Sequence, residues 1–241
     1  MKTLIISCIF LSMITTVSAQ ILSTTGGKIY VGVNAGPSFP LGEFGDTNPE
    51  SKQSGFATVG YNVELNAGIR LFNIFEISIM GFRNVNGTDP DNLRTFVNQN
   101  NPANNYNIES DDWEMYGALG GLGLSYPLPE KFVMDIRILG GYVNISSPEF
   151  NLTTPLPDVY YKIEGKDIST FTYFSSLTVR KPVFTPKLYL LLGFEYLGAD
   201  ADFNDVKTIE SSEGIITESL ASFERSIQVW SITAGLKFFI L

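Results

Sequence analysis

Apolar and polar side chains alternate residue by residue in one segment after another of this 241-residue chain. The clearest case is 58–71, TVGYNVELNAGIRL, where one phase is apolar from Val59 to Leu71 and the other carries Glu64 and Arg70. Successive side chains of a β-strand point to opposite sides, so such a segment forms a strand with one apolar and one polar face. The alternation therefore predicts an all-β fold.

The same alternation predicts eight strands. They cover residues 28–39, 56–72, 74–84, 113–126, 131–143, 170–181, 187–197 and 227–240. Short turns follow the second, fourth and sixth strands, whereas long polar loops near 40–55, 85–112, 144–169 and 198–226 follow the others that have a successor. Connections that alternate in length predict a closed up-and-down antiparallel barrel, with turns at one rim and loops at the other.

The first residues have the organisation of a secretory signal peptide. Lys2 gives the positive start, an apolar stretch runs from Leu4 to Ile14, and Val17-Ser18-Ala19 provides a small-residue cleavage site. We therefore expect residues 1–19 to be removed and residues 20–241 to form one barrel domain. Cys8 leaves with the signal, so the mature chain is expected to contain no disulfide.

Aromatic side chains recur on the apolar phase at an interval that fits a membrane. Phe132 and Tyr142 lie ten residues apart, which corresponds to roughly 23 Å of height at about 3.3 Å per residue and a tilt near 45°. The apolar band of an outer-membrane barrel is about 25 Å tall and has aromatic residues at both edges. The predicted aromatic girdle consists of Tyr116, Tyr126, Phe132, Tyr142, Trp230 and Phe238. The apolar phase is thus expected to face lipid.

In the middle of the predicted strands, charged residues fall on the opposite, polar phase. They comprise four acids and four bases, namely Glu64, Arg70, Glu76, Asp135, Arg137, Arg180, Glu195 and Lys237. Balanced charges inside a narrow barrel can pair with one another. We expect them to form a structural charge network in a lumen that is filled by side chains, since eight strands leave no wider space.

Composition excludes several function classes. The chain has no His, so Ser-His-Asp, Cys-His and His-metal sites are absent from it. Its net charge of −9 argues against a nucleic-acid partner. No catalytic, cofactor-binding or metal-binding residue is predicted, and no cofactor is expected.

Three segments resemble porin-family outer-membrane β-barrel proteins of Gram-negative bacteria, the small barrels of the OmpA/OmpX kind. They are YVGVNAGPSFPLGEFG (30–45), GYNVELNAGIRLF (60–72) and SITAGLKFFIL (231–241). The resemblance implies short periplasmic turns, long extracellular loops and a last strand that the barrel-assembly machinery reads. The family's last strand usually ends in an aromatic residue, whereas this chain ends in Ile240 and Leu241.

These observations predict an integral outer-membrane barrel with a structural or surface-interaction role. Its partners would be outer-membrane lipid, the assembly machinery through the C-terminal strand, and an extracellular ligand that contacts the loops. A porin-like small-solute channel is the first alternative. A soluble lipocalin-like ligand binder, which would bury the apolar phase inside, and an outer-membrane enzyme are weaker alternatives.

Overall fold

The computed structural model describes residues 28–51, 53–100, 105–156, 159–212 and 215–240, so the predicted signal peptide lies outside the described residues and stays a prediction. Most of the described chain is antiparallel β-structure. Its strands are β1 (Lys28–Pro40), β2 (Ala57–Leu71), β3 (Phe75–Thr88), β4 (Asn107–Ser110), β5 (Trp113–Pro127), β6 (Val133–Ser146), β7 (Phe150–Thr153), β8 (Tyr160–Ile163), β9 (Asp167–Pro182), β10 (Leu188–Ser212) and β11 (Ile215–Phe239).

Eight of these strands close into a hydrogen-bonded ring. The order is β1-β2-β3-β5-β6-β9-β10-β11, and β11 pairs back onto β1 from Tyr30↔Phe239 to Pro40↔Val229. Strands that are consecutive around the ring are consecutive along the chain, apart from the short strands that interrupt the loops. The predicted eight-stranded up-and-down barrel is confirmed.

The three short connections are tight turns at one rim, here called the turn end. Phe72 and Asn73 both have positive φ, 52° and 60°, between β2 and β3, a combination that matches the right-handed twist of a hairpin. Glu130 and Lys131 have positive φ between β5 and β6, where a 3₁₀ turn spans Pro129–Lys131, and so does Phe184 between β9 and β10. The opposite rim is the loop end.

Alternation along each strand separates an apolar outside from a polar inside. On β6, Ile138 points outward and is 69% exposed, whereas its neighbour Arg137 points inward and is 5% exposed. Leu65 and Glu64 on β2 show the same contrast, at 67% and 1%. An apolar outer surface on a closed barrel is suited to lipid and contradicts the lipocalin-like alternative. In the described part of the chain, no helix is long and apolar enough to cross a membrane.

Several of the segments predicted as long polar loops contain regular structure. β10 and β11 each have 25 residues and continue far beyond the predicted strands 187–197 and 227–240. Three four-residue strands, β4, β7 and β8, extend the sheet beside the loop-end half of β10. The strand order there is β11-β10-β8-β7-β4. We call this five-stranded extension the loop-end sheet.

Two short helices also lie at the loop end. α1 (Gly42–Gly45) follows β1, and α2 (Pro90–Asn100) follows β3. The Asn-rich stretch 98–107, whose composition predicts a loop, provides the last turn of α2 and the first residue of β4, while 101–104 lie outside the described residues. The loops therefore contain more regular structure than their polar composition suggests.

Candidate functional site

All eight strand charges predicted to line the lumen lie inside the barrel. Their exposed fractions range from 1% to 6% for Glu64, Arg70, Glu76, Asp135, Arg137, Arg180, Glu195 and Lys237. Several of their contacts cross the lumen between strands that are not neighbours in the ring, such as Lys237 of β11 with Glu76 of β3. The structure divides the eight residues into two groups.

The first group, the turn-end cluster, joins Arg70, Glu76, Asp135, Arg180 and Lys237. Asp135 contacts all three cations, with Arg180 Nε at 2.7 Å, Lys237 Nζ at 3.4 Å and Arg70 Nη2 at 3.5 Å. Glu76 accepts contacts from Lys237 Nζ at 3.0 Å and Arg70 Nη2 at 3.1 Å. Three cations and two carboxylates leave this cluster with a net charge of +1.

The second group, the mid-barrel cluster, joins Glu64, Arg137 and Glu195. Arg137 Nη2 lies 4.0 Å from Glu64 Oε2 and 3.8 Å from Glu195 Oε1. The amide of Asn62 donates to Glu64 at 2.8 Å and to Glu195 at 3.4 Å, so the two carboxyl groups share one donor. Two carboxyl groups and one guanidinium give a formal charge of −1, which balances the formal +1 of the turn-end cluster.

Polar residues that the sequence analysis did not single out complete these networks. The Tyr30 hydroxyl donates to Glu76 Oε1. Asn34 donates to Glu64 Oε2 at 3.1 Å, Arg137 donates to the amide oxygen of Asn66 at 2.7 Å, and Thr233 donates to Glu195 at 2.9 Å. All four lie on the inward phase of their strands, so the alternation itself marks them.

Interior cavities beside both clusters are small. One of about 10 Å³ is lined by Asn66, Asp135, Arg137 and Lys237, and another of about 10 Å³ is lined by Glu64 and Glu195 among others. Each volume is about that of one probe sphere, which is room for a single water. At these depths the lumen is filled by side chains.

The loop half of the lumen contains an apolar cluster, which the sequence analysis did not predict. Phe44 of α1 is fully buried and packs edge-on against Trp113, with ring centroids 5.3 Å apart, and Trp113 packs in the same way against Phe203 at 5.9 Å. The Trp113 indole donates to the Gly55 carbonyl at 2.9 Å. The segment after β1 thus covers the barrel mouth and inserts an aromatic ring into it.

The six residues of the predicted girdle lie on the outside at the two rims. Tyr126, Phe132 and Phe238 are at the turn end, and Tyr116, Tyr142 and Trp230 are at the loop end. Further rings extend the loop-end row: Phe171 lies 6.1 Å from Tyr142, and Phe194 lies 4.9 Å from Trp230. Aromatic residues at both edges of an apolar band are typical of membrane interfaces.

Ion pairs also hold the loop-end sheet together. Lys162 of β8 contacts Glu149, which directly precedes β7, at 2.8 Å. Hydrogen bonds from Lys162 and Asn151 lower the pKa of Glu149, and the same carboxylate raises the pKa of Lys162. Both groups are exposed enough for solvent to weaken the pair.

One edge of the loop-end sheet is open. Between residues 215 and 224, β11 pairs with β10 on one side, and no other strand of the described chain pairs with its second side. Ile215, Ile216 and Leu220 are 62–69% exposed along this segment. An unpaired strand with exposed apolar side chains is a template for pairing with another chain.

A closed antiparallel barrel with an apolar outside, a filled polar interior and aromatic rings at both rims defines a transmembrane β-barrel of the outer-membrane type. Solved structures that this chain is similar to are outer-membrane barrels. They include Neisserial surface protein A (TM-score 0.49, 11% identity, covering 89% of this chain and 99% of that one) and a major outer membrane protein of Thermus thermophilus (0.49, 12%, 90% and 100%). The attachment invasion locus protein of Yersinia pestis is similar with a TM-score of 0.42, 12% identity and coverage of 89% and 100%.

No protein-family model matches this chain. No curated protein matches its sequence either.

Proposed function

We propose that this chain is an outer-membrane anchor that holds the loop-end sheet outside the cell as a surface for binding another protein. The observation that carries the proposal is the continuation of β10 and β11 beyond the barrel as one paired ladder, with a single register shift between Phe203 and Val206, ending in the open edge at 215–224. At about 3.3 Å per residue, a 25-residue strand is roughly 80 Å long, far more than the apolar band needs. The excess length is built as sheet, which keeps its edge in a fixed position.

The interior supports an anchor rather than a channel. Side chains fill the path that a solute would take. They leave only small cavities beside both ionic clusters, and the Phe44 ring occupies the mouth. The role that we propose for the two ionic clusters is accordingly structural, because they join strands across the lumen. In planar bilayers, the folded protein should give no steady conductance; regular openings that change selectivity in Glu64→Gln would favour the channel.

Orientation is tested with single cysteines, because the only Cys of the chain, Cys8, belongs to the predicted signal peptide. Ile215→Cys places a thiol at the loop end and Phe184→Cys at the turn end, where the native side chains are 69% and 99% exposed. A membrane-impermeant maleimide should label Ile215→Cys in intact cells and Phe184→Cys only after the outer membrane is opened. The reverse pattern would place the loop-end sheet in the periplasm and refute the proposal.

The binding role is tested on the open edge itself. Extended peptides selected against the folded protein should bind the wild-type chain, and Leu220→Lys should abolish binding because a lysine on an edge strand blocks further pairing. Lys166→Ala, elsewhere at the loop end, is the control and should bind as the wild type does. Peptides that bind both variants equally would show that the edge is not the binding surface.

A further inference from the structure

Basic residues predominate at the turn end. Outside the barrel interior, the strand ends and turns at this rim carry Lys28, Lys131, Lys181 and Lys187 against the single acid Glu130. None of these lysines forms an ion pair with a described residue; the amine of Lys187 instead donates to the Ile240 carbonyl at 3.2 Å. This rim therefore offers positive charge that the described residues do not neutralise.

A groove lies between two of the turns at this rim. It has a volume of about 730 Å³ and is bordered on one side by Lys131 and Phe132 after β5, and on the other by Lys181 and Phe184 around the β9–β10 turn. The two turns are adjacent because β6 and β9 pair directly, from Val133↔Arg180 upward. The groove is therefore part of the barrel wall where the wall meets the membrane surface.

Each side of the groove combines a cation with an aromatic ring. Lys181 lies on the outward phase of β9, and its ammonium is 4.4 Å from the centre of the Phe132 ring, so its charged end extends toward the rim while its stem lies on apolar surface. Phe184, at the tip of the β9–β10 turn, has positive φ and is 99% exposed. A phenylalanine so placed is suited to contact with acyl chains at the membrane edge.

We propose that this groove, the turn-end groove, binds an anionic phospholipid of the adjacent leaflet, with the phosphate-bearing headgroup between Lys131 and Lys181 and an acyl chain against Phe132 and Phe184. Charge complementarity decides the headgroup, since basic pockets at a membrane surface bind anionic lipid headgroups. The open apolar walls favour a lipid over a free phosphate ion, because a phosphate ion has no acyl chain to contact them. The proposal rests on the membrane embedding of the barrel, and it is independent of what the loop-end sheet binds.

The experiment places a reporter in the groove. Phe184→Trp introduces an indole at the fully exposed position, and the signal of the native Trp113 and Trp230, both at the loop end, is subtracted with the parent chain. The protein is folded into phosphatidylcholine vesicles that contain either one-fifth brominated phosphatidylglycerol or one-fifth brominated phosphatidylcholine. Bromine on the acyl chain quenches an indole only when the lipid lies beside it.

Quenching of the introduced indole gives the relative association of each brominated lipid with the groove. The ratio of the association of phosphatidylglycerol to that of phosphatidylcholine should be at least about three, because two lysines act on the anionic headgroup. In the same reporter background, Lys131→Gln with Lys181→Gln should bring the ratio to about one, whereas Lys131→Arg with Lys181→Arg should preserve it. The loop-end pair Lys162→Gln with Lys166→Gln removes the same charge elsewhere and should leave the ratio unchanged.

Two results would overturn the proposal. One is a ratio of one in the protein with both lysines intact; the other is a preference that survives in the double glutamine variant. Gel electrophoresis verifies that every variant has folded into the membrane, because a folded barrel migrates differently in unboiled and boiled samples. Failure of that check in the wild-type chain would contradict the membrane anchor itself, so the two failures are distinguishable.

Discussion

Neutralising Asp135 should destabilise the barrel more than removing Lys237 from the same cluster. Asp135 is 3% exposed, contacts Arg70, Arg180 and Lys237 within 3.5 Å, and accepts a hydrogen bond from Ser125 at 2.6 Å. Asp135→Asn keeps the shape but leaves three cations facing one carboxylate. Loss of one member of a buried ion pair costs about 3–5 kcal/mol, and we expect the unfolding free energy to fall by an amount in that range.

Lys237→Met has the opposite effect on charge balance. It leaves two cations with two carboxylates, and the methionine retains a flexible apolar stem at the same position. Buried ionic groups can often be replaced by apolar ones of similar volume without loss, so we expect a cost of about 0–2 kcal/mol. The difference between Lys237→Met and Asp135→Asn should then be at least about 1 kcal/mol, in favour of the methionine variant.

The assay is reversible urea unfolding of the protein in vesicles, followed by tryptophan fluorescence and by the fraction of the fast-migrating unboiled band. Glu130→Gln is the matched control, because it removes one carboxylate at the turn end but on the exposed surface. A surface change of this kind should stay within about 0.5 kcal/mol. Equal losses in Asp135→Asn and Lys237→Met, or a larger loss in the methionine variant, would refute the argument from net charge.

Three further outcomes are expected. Ile138→Arg, between the two aromatic rows, should cost about 2–4 kcal/mol in urea unfolding, whereas Ile215→Arg, equally exposed at 69% but beyond the barrel, should change little; similar costs would contradict the placement of the membrane. Phe44→Ala should cost about 3–5 kcal/mol in the same assay and speed amide exchange in the segment after β1; unchanged exchange would show that the ring does not hold this segment in the mouth. The Glu149–Lys162 pair should stabilise the loop-end sheet at pH values above the ordinary carboxyl pKa of about 4.3, and this effect should be lost as the pH falls through the lowered pKa of Glu149. The readout is the hydrogen-exchange protection factor of β7. If it does not fall in acid relative to that of Glu149→Gln, the result would count against the pair.

The barrel could be predicted from the sequence because two different environments act on its strands. Lipid requires apolar side chains on one phase and the narrow lumen accepts polar ones on the other, so the residue period is strong at positions such as Leu65 and Glu64. Outside the membrane, both faces of a strand can meet water. The segment 215–226, IITESLASFERS, accordingly lacks alternation, and the sequence pattern predicts a start for the last strand only at 227.

The interior could be predicted only in part. The phase of each strand identifies Asp135 and Glu195 as inward-facing, but it does not say which cations they meet, because partners across the lumen depend on the stagger of all eight strands. The strands β4, β7 and β8 are only four residues long. β4 pairs with β7 and β8 pairs with β10, both distant along the chain, which a local pattern cannot reveal. Phe44 is a single aromatic residue in a one-turn helix and has no period to mark it.

The contact between β1 and β11 determines how the molecule can assemble. Tyr30 and Phe239 are 209 positions apart along the chain, whereas all other neighbouring strands of the ring follow one another in sequence. Closing so long a loop is slow and brings no gain until every intervening hairpin has found its alignment. A closed barrel has no free edge strand that could accommodate a register error. One residue inserted into any of the three tight turns would therefore shift the register of the β1–β11 pairing by one residue. We infer that such an insertion would hinder closure of the cylinder far more than it would disturb the hairpin that contains it.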